Sequence, residues 1–111
     1  MRIQTQEYDE VVVVMLQGEL NVDACETFQD TLSQTIAAGK KSIVLDMRGG
    51  GFIDGPGLEK LLWARDYCHE SHCQLKLAGL DENCAKILEI TRLENEFDRY
   101  EELAKAVKSL V

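Results

Sequence analysis

Two types of metal-binding side chain lie close together in the segment Cys68-His69-Glu70-Ser71-His72-Cys73. Cysteine thiolates and histidine imidazoles are the usual ligands of Zn²⁺, so the composition alone suggests a zinc site. The spacing does not fit one, because adjacent residues diverge and structural zinc sites draw on two separated ligand pairs. We therefore expect no bound metal and interpret the segment as a polar turn between a helix and a strand.

The same cysteines raise the question of thiol chemistry. Cys68 belongs to the apolar stripe of the preceding helical segment, where a reduced cysteine behaves as a small hydrophobic residue. A Cys68–Cys73 disulfide is compatible with the spacing, but a reducing cytosol disfavours it. Regulation by oxidation of Cys68 or Cys73 is kept as an alternative hypothesis.

A second candidate is the glycine-rich segment GGGFIDGPGL, residues 49–58, which leads into an amphipathic run. A helix that begins after a glycine-rich loop can bind phosphate. However, no lysine-serine or lysine-threonine pair follows, and the glycines do not have the spacing of a dinucleotide site. Asp46 and Asp54 flank the segment, where their commoner role is to bond loop amides and cap the helix.

Catalytic patterns are absent from the sequence. Both histidines lie in one turn, and no Gly-x-Ser-x-Gly nucleophile motif is present. We expect neither an enzyme nor a cofactor. A small-ligand or nucleotide-binding domain that uses the glycine-rich segment with Asp46 or Asp54 is retained as an alternative.

Pro56, the only proline, stands where the helix after the glycine-rich segment begins. Proline is favoured at the first helical position, because its missing N–H would lack a partner there. The residue before it, Gly55, is pushed towards extended geometry and is the predicted N-cap. The helix is predicted to run to about residue 70.

The remaining patterns predict the elements that position these residues. Asp23 and Glu26 match a capping box, and Gly39 is placed to end that helix in a left-handed conformation. Strands are predicted at 2–8, 11–16 (ending at Gly18), 42–47, near 75–77, and at 97–100. Further helices are predicted after Asp81 and from residue 103. The order ββαβαβαβα predicts a single α/β domain, residues 1–111, with a mixed, mostly parallel sheet of about five strands and about four helices.

Charge and hydropathy exclude several classes of partner. The 111 residues carry a net charge of −8, with 20 acidic against 12 basic side chains. Such a surface repels nucleic acids and anionic lipid heads. The longest apolar run, Val11 to Leu16, is too short to span a bilayer, and the N-terminus lacks the apolar core of a secretory signal. We expect a cytoplasmic protein with reduced cysteines, without nucleic acid or direct membrane insertion.

Two segments, VVVVMLQGELNVDACETFQDTL and KSIVLDMRGGGFIDGPGLEKLLWA, together resemble the STAS domain of anti-sigma factor antagonists. Members of that family typically show an apolar strand ending in Gly-Glu-Leu-Asp and, later, a loop reading roughly Phe-Ile-Asp-Ser-Ser-Gly-Leu. Here Asn21 replaces the aspartate of the first motif, and Asp46 matches the acid that ends the next strand. Leu88, Thr91, Leu93 and Phe97 fit the last third, so the resemblance covers nearly the whole chain.

The resemblance implies helices packed mainly on one face of the sheet and a non-catalytic function. The domain would bind an anti-sigma factor or related serine-kinase-like protein through the 18–23 turn and the 48–66 loop and helix. The corresponding positions are Gly18, Glu19, Leu20, Asn21, Asp23, Arg48, Phe52, Asp54, Gly55, Pro56, Gly57 and Leu58. An alternative is a STAS subunit bound to the cytosolic ATPase of a membrane transporter. The partner's identity and the oligomeric state are left open.

The chain departs from the family where regulation is concerned. The second serine of Asp-Ser-Ser-Gly is the family's phosphorylation site, and its counterpart here is Pro56, with Gly55 in place of the first serine. Neither residue has a hydroxyl group that can accept phosphate. We therefore expect partner binding without phosphorylation at this position.

Overall fold

The computed structural model describes the whole chain, residues 1–111, and contains five strands and four α-helices. The strands are β1 (Arg2–Tyr8), β2 (Val11–Leu20), β3 (Ser42–Ile53), β4 (Gln74–Ala78) and β5 (Asp98–Tyr100). The helices are α1 (Cys25–Ala37), α2 (Gly55–Glu70), α3 (Glu82–Ile90) and α4 (Leu103–Lys108), with a short 3₁₀ turn at Glu94–Glu96. The predicted order of strands and α-helices is confirmed.

All five strands form one sheet whose spatial order, β1-β2-β3-β4-β5, is also the order along the chain. The first two strands are an antiparallel hairpin, and every later pair is parallel. The predicted mixed, mostly parallel sheet is therefore confirmed. Because parallel crossovers are right-handed and each moves one strand in the same direction, α1, α2 and α3 lie on one face.

The strands β2 and β3 are buried on both faces, which explains their unbroken apolar runs. Alternate residues of a strand point to opposite faces, so Val12 and Val14 join a core of 19 residues beneath α1–α3. Val11 and Val13 face the other way, in a cluster of five residues that includes Ala106 of α4. The helices thus lie mainly on one face, with α4 alone on the other.

The strands β2 and β3 are longer than their sequence patterns predicted. Gly18 does not end β2: it adopts a φ of +103° inside the strand, beside an irregularity in the pairing with β3. Gly49 and Gly50 pair with Gln17 and Gly18, so residues 49–53 are strand rather than loop. The main chain of β2 supplies hydrogen-bond partners there, which outweighs the low strand propensity of glycine.

The predicted capping box at the start of α1 is wrong. The N-cap is Ala24, which makes no capping bond, and no such bond comes from Asp23. Instead the Asn21 side chain accepts from the backbone N–H groups of Asp23 and Ala24, at 3.1 and 3.2 Å. The Asn21 side chain thus occupies the Asp23 amide, which the acidic residue of a capping box would otherwise bind.

Two other helix boundaries agree with prediction. Gly39, directly after the C-cap Ala38 of α1, has a φ of +89°, as a left-handed helix end requires. The Asp81 carboxylate accepts from Cys84 N–H at 2.8 Å and caps α3. No helix of the structure combines the length and apolar composition needed to cross a membrane.

Candidate functional site

The start of α2 is held by Asp54. Its Oδ1 accepts a hydrogen bond of 2.7 Å from Gly57 N–H, and its backbone is extended, so Asp54 is the N-cap. Gly55 and Pro56 are therefore the first two residues of the helix, which corrects the predictions of Gly55 as N-cap and Pro56 as first helical residue. Proline is tolerated at both of the first two positions, because neither amide has a partner within the helix.

The same carboxylate binds the turn between β2 and α1. Its Oδ2 accepts from Val22 N–H at 3.2 Å, while Asp54 N–H donates to the Leu20 carbonyl at 3.3 Å. One side chain thus satisfies an exposed amide of the turn and an unpaired amide of the helix. The 18–23 turn and the start of α2, predicted to act together, are in direct contact.

Gly57 allows the two segments to approach this closely. A Cβ atom at residue 57 would overlap the carbonyl oxygen of Leu20, a main-chain atom that cannot move aside as a flexible side chain would. The glycine is needed for its lack of a side chain, since φ here is helical and not left-handed. By contrast, a Cβ atom at Gly55 would meet no atom beyond its chain neighbours.

Cys25, at the start of α1, also connects the β2–α1 turn to the start of α2. Its Sγ donates to the carbonyl oxygens of Asn21 at 3.2 Å and Pro56 at 3.6 Å. Burial raises the pKa of the Cys25 thiol, and nearby Lys60 opposes that effect only in part. Cys25 is therefore a protonated hydrogen-bond donor at neutral pH, and it serves structure here.

The outer side of this junction exposes apolar groups. The residue exposures of Val22 and Phe52 are 63% and 56%, and Pro56 is also exposed. Pairing of Leu20 with Ile53 places Phe52 beside the end of β2. We call residues 21–23 and 52–58 together the entry surface.

The predicted site residues differ in how they contribute to this surface. Asp23, Phe52, Gly55 and Pro56 are exposed on it, and Asn21, Asp54 and Leu58 are half-buried. Gly18 and Glu19 are exposed near the end of β2, outside the entry surface. Leu20 and Gly57 are buried, so they shape the entry surface without lining it. Val22 lies within the predicted 18–23 turn but was not among the individually named residues, although a valine between the polar residues Asn21 and Asp23 was a signal that could have identified it.

Arg48 does not join the entry surface. It alternates with buried Met47 along β3 and so lies on the sheet face that carries α4. Its guanidinium donates to Asp46, with Nε–Oδ1 at 2.9 Å and Nη2–Oδ2 at 2.8 Å. Burial by itself would raise the pKa of Asp46, but the hydrogen bonds and charge of Arg48 hold that pKa below its ordinary value. Asp46 is thus an ion-pair partner, and it does not converge with Asp54.

The Cys68–Cys73 segment does not assemble a metal site. Both thiols are buried, whereas His69 and His72 are exposed, so the four side chains point to different environments. No three His, Cys, Asp or Glu side chains anywhere in the structure are grouped closely enough to hold a metal ion.

Comparison with known proteins agrees with this architecture. The family model of the STAS domain matches residues 2–107. A STAS-domain containing protein of Pseudomonas aeruginosa (strain UCBPP-PA14) is 28% identical over 86 residues, which cover 78% of this chain and 84% of the relative.

Three solved structures share the fold at low sequence identity. Protein TM1081 of Thermotoga maritima superposes with a TM-score of 0.89 at 20% identity, covering 96% of this chain and 92% of that one. The anti-sigma factor antagonist SpoIIAA of Bacillus, in its phosphorylated form, gives 0.76 at 20% identity over 99% and 100%. A sulfate transporter family protein from Wolinella succinogenes gives 0.82 at 18% identity over 92% and 85%. The family match, the sheet order and the arrangement of helices agree, and the chain belongs to the STAS domain family.

Proposed function

We propose that this STAS domain is a non-catalytic module that binds a protein partner through the entry surface, in the manner of anti-sigma factor antagonists. The observation that carries the proposal is the double use of Asp54, which joins the β2–α1 turn to the start of α2. A surface built from two chain segments is held rigid before any partner arrives. Preorganisation of this kind lowers the entropy lost on binding.

The chemistry of the surface supports a protein partner. Val22 and Phe52 expose one apolar side chain on each of its two segments, and the acidic residues Glu19 and Asp23 are exposed close to Val22 in the sequence. Interfaces combine an apolar centre that includes aromatic residues with a polar rim. The acidic side chains favour a partner whose contact surface is basic.

The proposed partner is an anti-sigma factor or a related serine-kinase-like protein. SpoIIAA, which shares the fold, occurs in an unphosphorylated and a phosphorylated form. Here Gly55 and Pro56 occupy the positions at which the family pattern has serines, so the kinase has no acceptor hydroxyl there. We infer that ATP does not release the partner by phosphorylation at this position.

The proposal is tested by binding to candidate anti-sigma factors from the source organism, measured by calorimetry or co-purification. We expect the double variant Val22→Ser/Phe52→Ser to lose most of the affinity, because it removes the exposed apolar side chain of each segment. Ile90→Ser is the matched control: Ile90 is 70% exposed at the far end of α3, and its replacement should leave binding unchanged.

A second experiment tests whether phosphorylation of the domain releases the partner. The wild-type domain is mixed with the bound kinase-like partner and ATP, and phosphate incorporation and complex stability are followed together. We expect no phosphate on the domain and no loss of the complex. Stoichiometric phosphorylation of another residue with release of the partner would contradict the phosphorylation-independent part of the proposal.

Two outcomes would favour the alternative functions. Recovery of a transporter ATPase in place of an anti-sigma factor, by affinity capture from native cytosol, would indicate a transporter subunit. A specific rise of the melting temperature with a nucleotide, abolished by substitutions in residues 49–58, would indicate a ligand-binding domain.

A further inference from the structure

The end of α2 places two cysteines in contact. Ser71 is the C-cap, His72 follows with a left-handed φ of +57°, and Cys73 comes next. Cys73 N–H donates to the Cys68 carbonyl at 2.8 Å, and His72 N–H donates to the His69 carbonyl at 3.2 Å. These two bonds define a Schellman motif, in which the side chains at the positions of Cys68 and Cys73 pack together.

The helix α3 ends in the same motif with different residues. Arg92 has a φ of +61°, Leu93 N–H donates to the Leu88 carbonyl at 2.7 Å, and Arg92 N–H donates to the Glu89 carbonyl at 3.0 Å. Leu88 and Leu93 thus occupy the positions that Cys68 and Cys73 hold in α2. Two leucines are enough for the apolar contact of this motif. The cysteine pair in α2 adds thiol chemistry that the motif does not require.

The geometry permits a covalent bond. The 2.8 Å hydrogen bond between the two main chains keeps their Cα atoms within about 7 Å, near the upper limit for a disulfide. The Cys73 Sγ lies 3.7 Å from the Gln74 carbonyl oxygen. The neighbouring Cys68 thiol and Lys41 lower the pKa of Cys73, and the Cys73 thiol together with burial raises the pKa of Cys68.

Both thiols line a cavity of about 190 Å³ between α2 and the segment before β5. Arg65, Asn95 and Phe97 contribute to its wall. The volume admits a molecule of the size of hydrogen peroxide, although each cysteine is almost completely buried. A small oxidant can therefore enter a cavity that both cysteines line.

We propose that Cys68 and Cys73 form a peroxide-oxidisable dithiol site, independent of the entry surface. The Cys73 thiolate attacks one peroxide oxygen, the O–O bond breaks, and the hydroxide released is protonated to water, leaving Cys73 as a sulfenic acid. The Cys68 sulfur then attacks the Cys73 sulfur, the S–O bond breaks and a second water leaves with the Cys68 proton. Peroxide is reduced by two electrons and the two thiols are oxidised to one disulfide, which cellular dithiols can reduce again.

The site is tested on the intact chain by brief treatment with dilute hydrogen peroxide, alkylation under denaturing conditions, and peptide mass spectrometry. We expect loss of alkylation at Cys68 and Cys73 together, a linked peptide lighter by two hydrogens, and full reversal by dithiothreitol. Cys25 and Cys84 should remain alkylated. Both are protonated internal controls, because burial raises the pKa of each, to about 12 for Cys84.

Two variants separate the roles of the thiols. In Cys68→Ser we expect a sulfenic acid at Cys73 that dimedone traps, and in Cys73→Ser we expect loss of peroxide reactivity at Cys68. Oxidation of Cys25 or Cys84 first, or unchanged alkylation of all four cysteines, would overturn the proposal. The mapping of the wild-type chain gives this answer even if a variant fails to fold.

Discussion

The Asp54 carboxylate and the Val22 amide, 32 positions apart in sequence, are joined by a hydrogen bond of 3.2 Å. The second oxygen of the same carboxylate caps α2 through Gly57 N–H at 2.7 Å. A residue that appears in the sequence as a helix cap is also the link between two segments.

Replacement of Asp54 by alanine removes the cap and the link together. We expect the free energy of unfolding to fall by about 1–2 kcal/mol, the usual cost of losing an N-cap side chain. We also expect the Val22 amide to exchange faster with solvent, because its acceptor is gone. Denaturant unfolding and amide hydrogen exchange measure the two effects.

The matched control is Asp81→Ala, which removes the N-cap of α3. It should reduce stability by a similar amount and leave both Val22 exchange and partner binding unchanged. Equal effects of the two variants on Val22 exchange would show that Asp54 does not hold the turn.

Gly57→Ala is expected to be strongly unfavourable. The added methyl group would overlap the Leu20 carbonyl and force α2 away from β2. Such overpacking typically costs about 1–3 kcal/mol. Gly55→Ala, two residues earlier, meets no atom outside its chain neighbours. We expect only a small net change there, because the Pro56 ring disfavours alanine in helical geometry and so offsets the gain of about 0.4–1 kcal/mol from a restricted unfolded chain. Denaturation midpoints compare the pair, and similar losses in both variants would contradict the close approach at Gly57.

Pro56→Ser introduces the hydroxyl group that phosphorylation at this position would need. The side chain is exposed in the first turn of α2, where the helix dipole and free amides favour a phosphate. We expect the variant to be destabilised by less than about 1 kcal/mol. We further expect it to accept phosphate from a kinase-like partner and then release that partner. Retention of the complex after phosphorylation of Ser would show that the entry surface is not the contact.

Arg48→Met should leave the buried carboxylate of Asp46 without its ion-pair partner. Oδ1 keeps its hydrogen bond from the backbone N–H of residue 48, but Oδ2 loses the guanidinium. An unsatisfied buried polar group costs about 1–3 kcal/mol, and we expect that loss near pH 7. Because Arg48 lowers the folded-state pKa of Asp46, its stabilisation is complete above the unfolded pKa, near 3.9, and is lost as pH falls through the folded value. The difference between variant and wild type should therefore shrink below about pH 4.

The control for this effect is Arg99→Met. Arg99 is exposed in β5 and makes no ion pair. Its replacement should change stability little, and the change should not depend on pH in the same way. Thermal unfolding measured from about pH 3 to about pH 8 would compare the two variants. A pH-independent loss in Arg48→Met would indicate that packing of the arginine, and not its charge, stabilises Asp46.

Local patterns predicted the features that depend on neighbouring residues. Gly39 ends α1 because a left-handed residue is needed there, and Asp81 caps α3 through an amide three positions away. The prediction failed where distant main chain intervened: residues 49–53 are strand because β2 runs alongside them. Asp23 lost its predicted cap because Asn21 folds back onto the turn.

The sequence by itself determined the order of elements, the mixed sheet and the absence of an acceptor hydroxyl at residues 55 and 56. These properties follow from residue type and short-range spacing. Only the tertiary structure decided that Asp54 binds Val22, that Arg48 pairs with Asp46 on the other face, and that α4 stands alone there. Such contacts depend on strand pairing and twist, which bring distant residues together and cannot be read from periodicity along the chain.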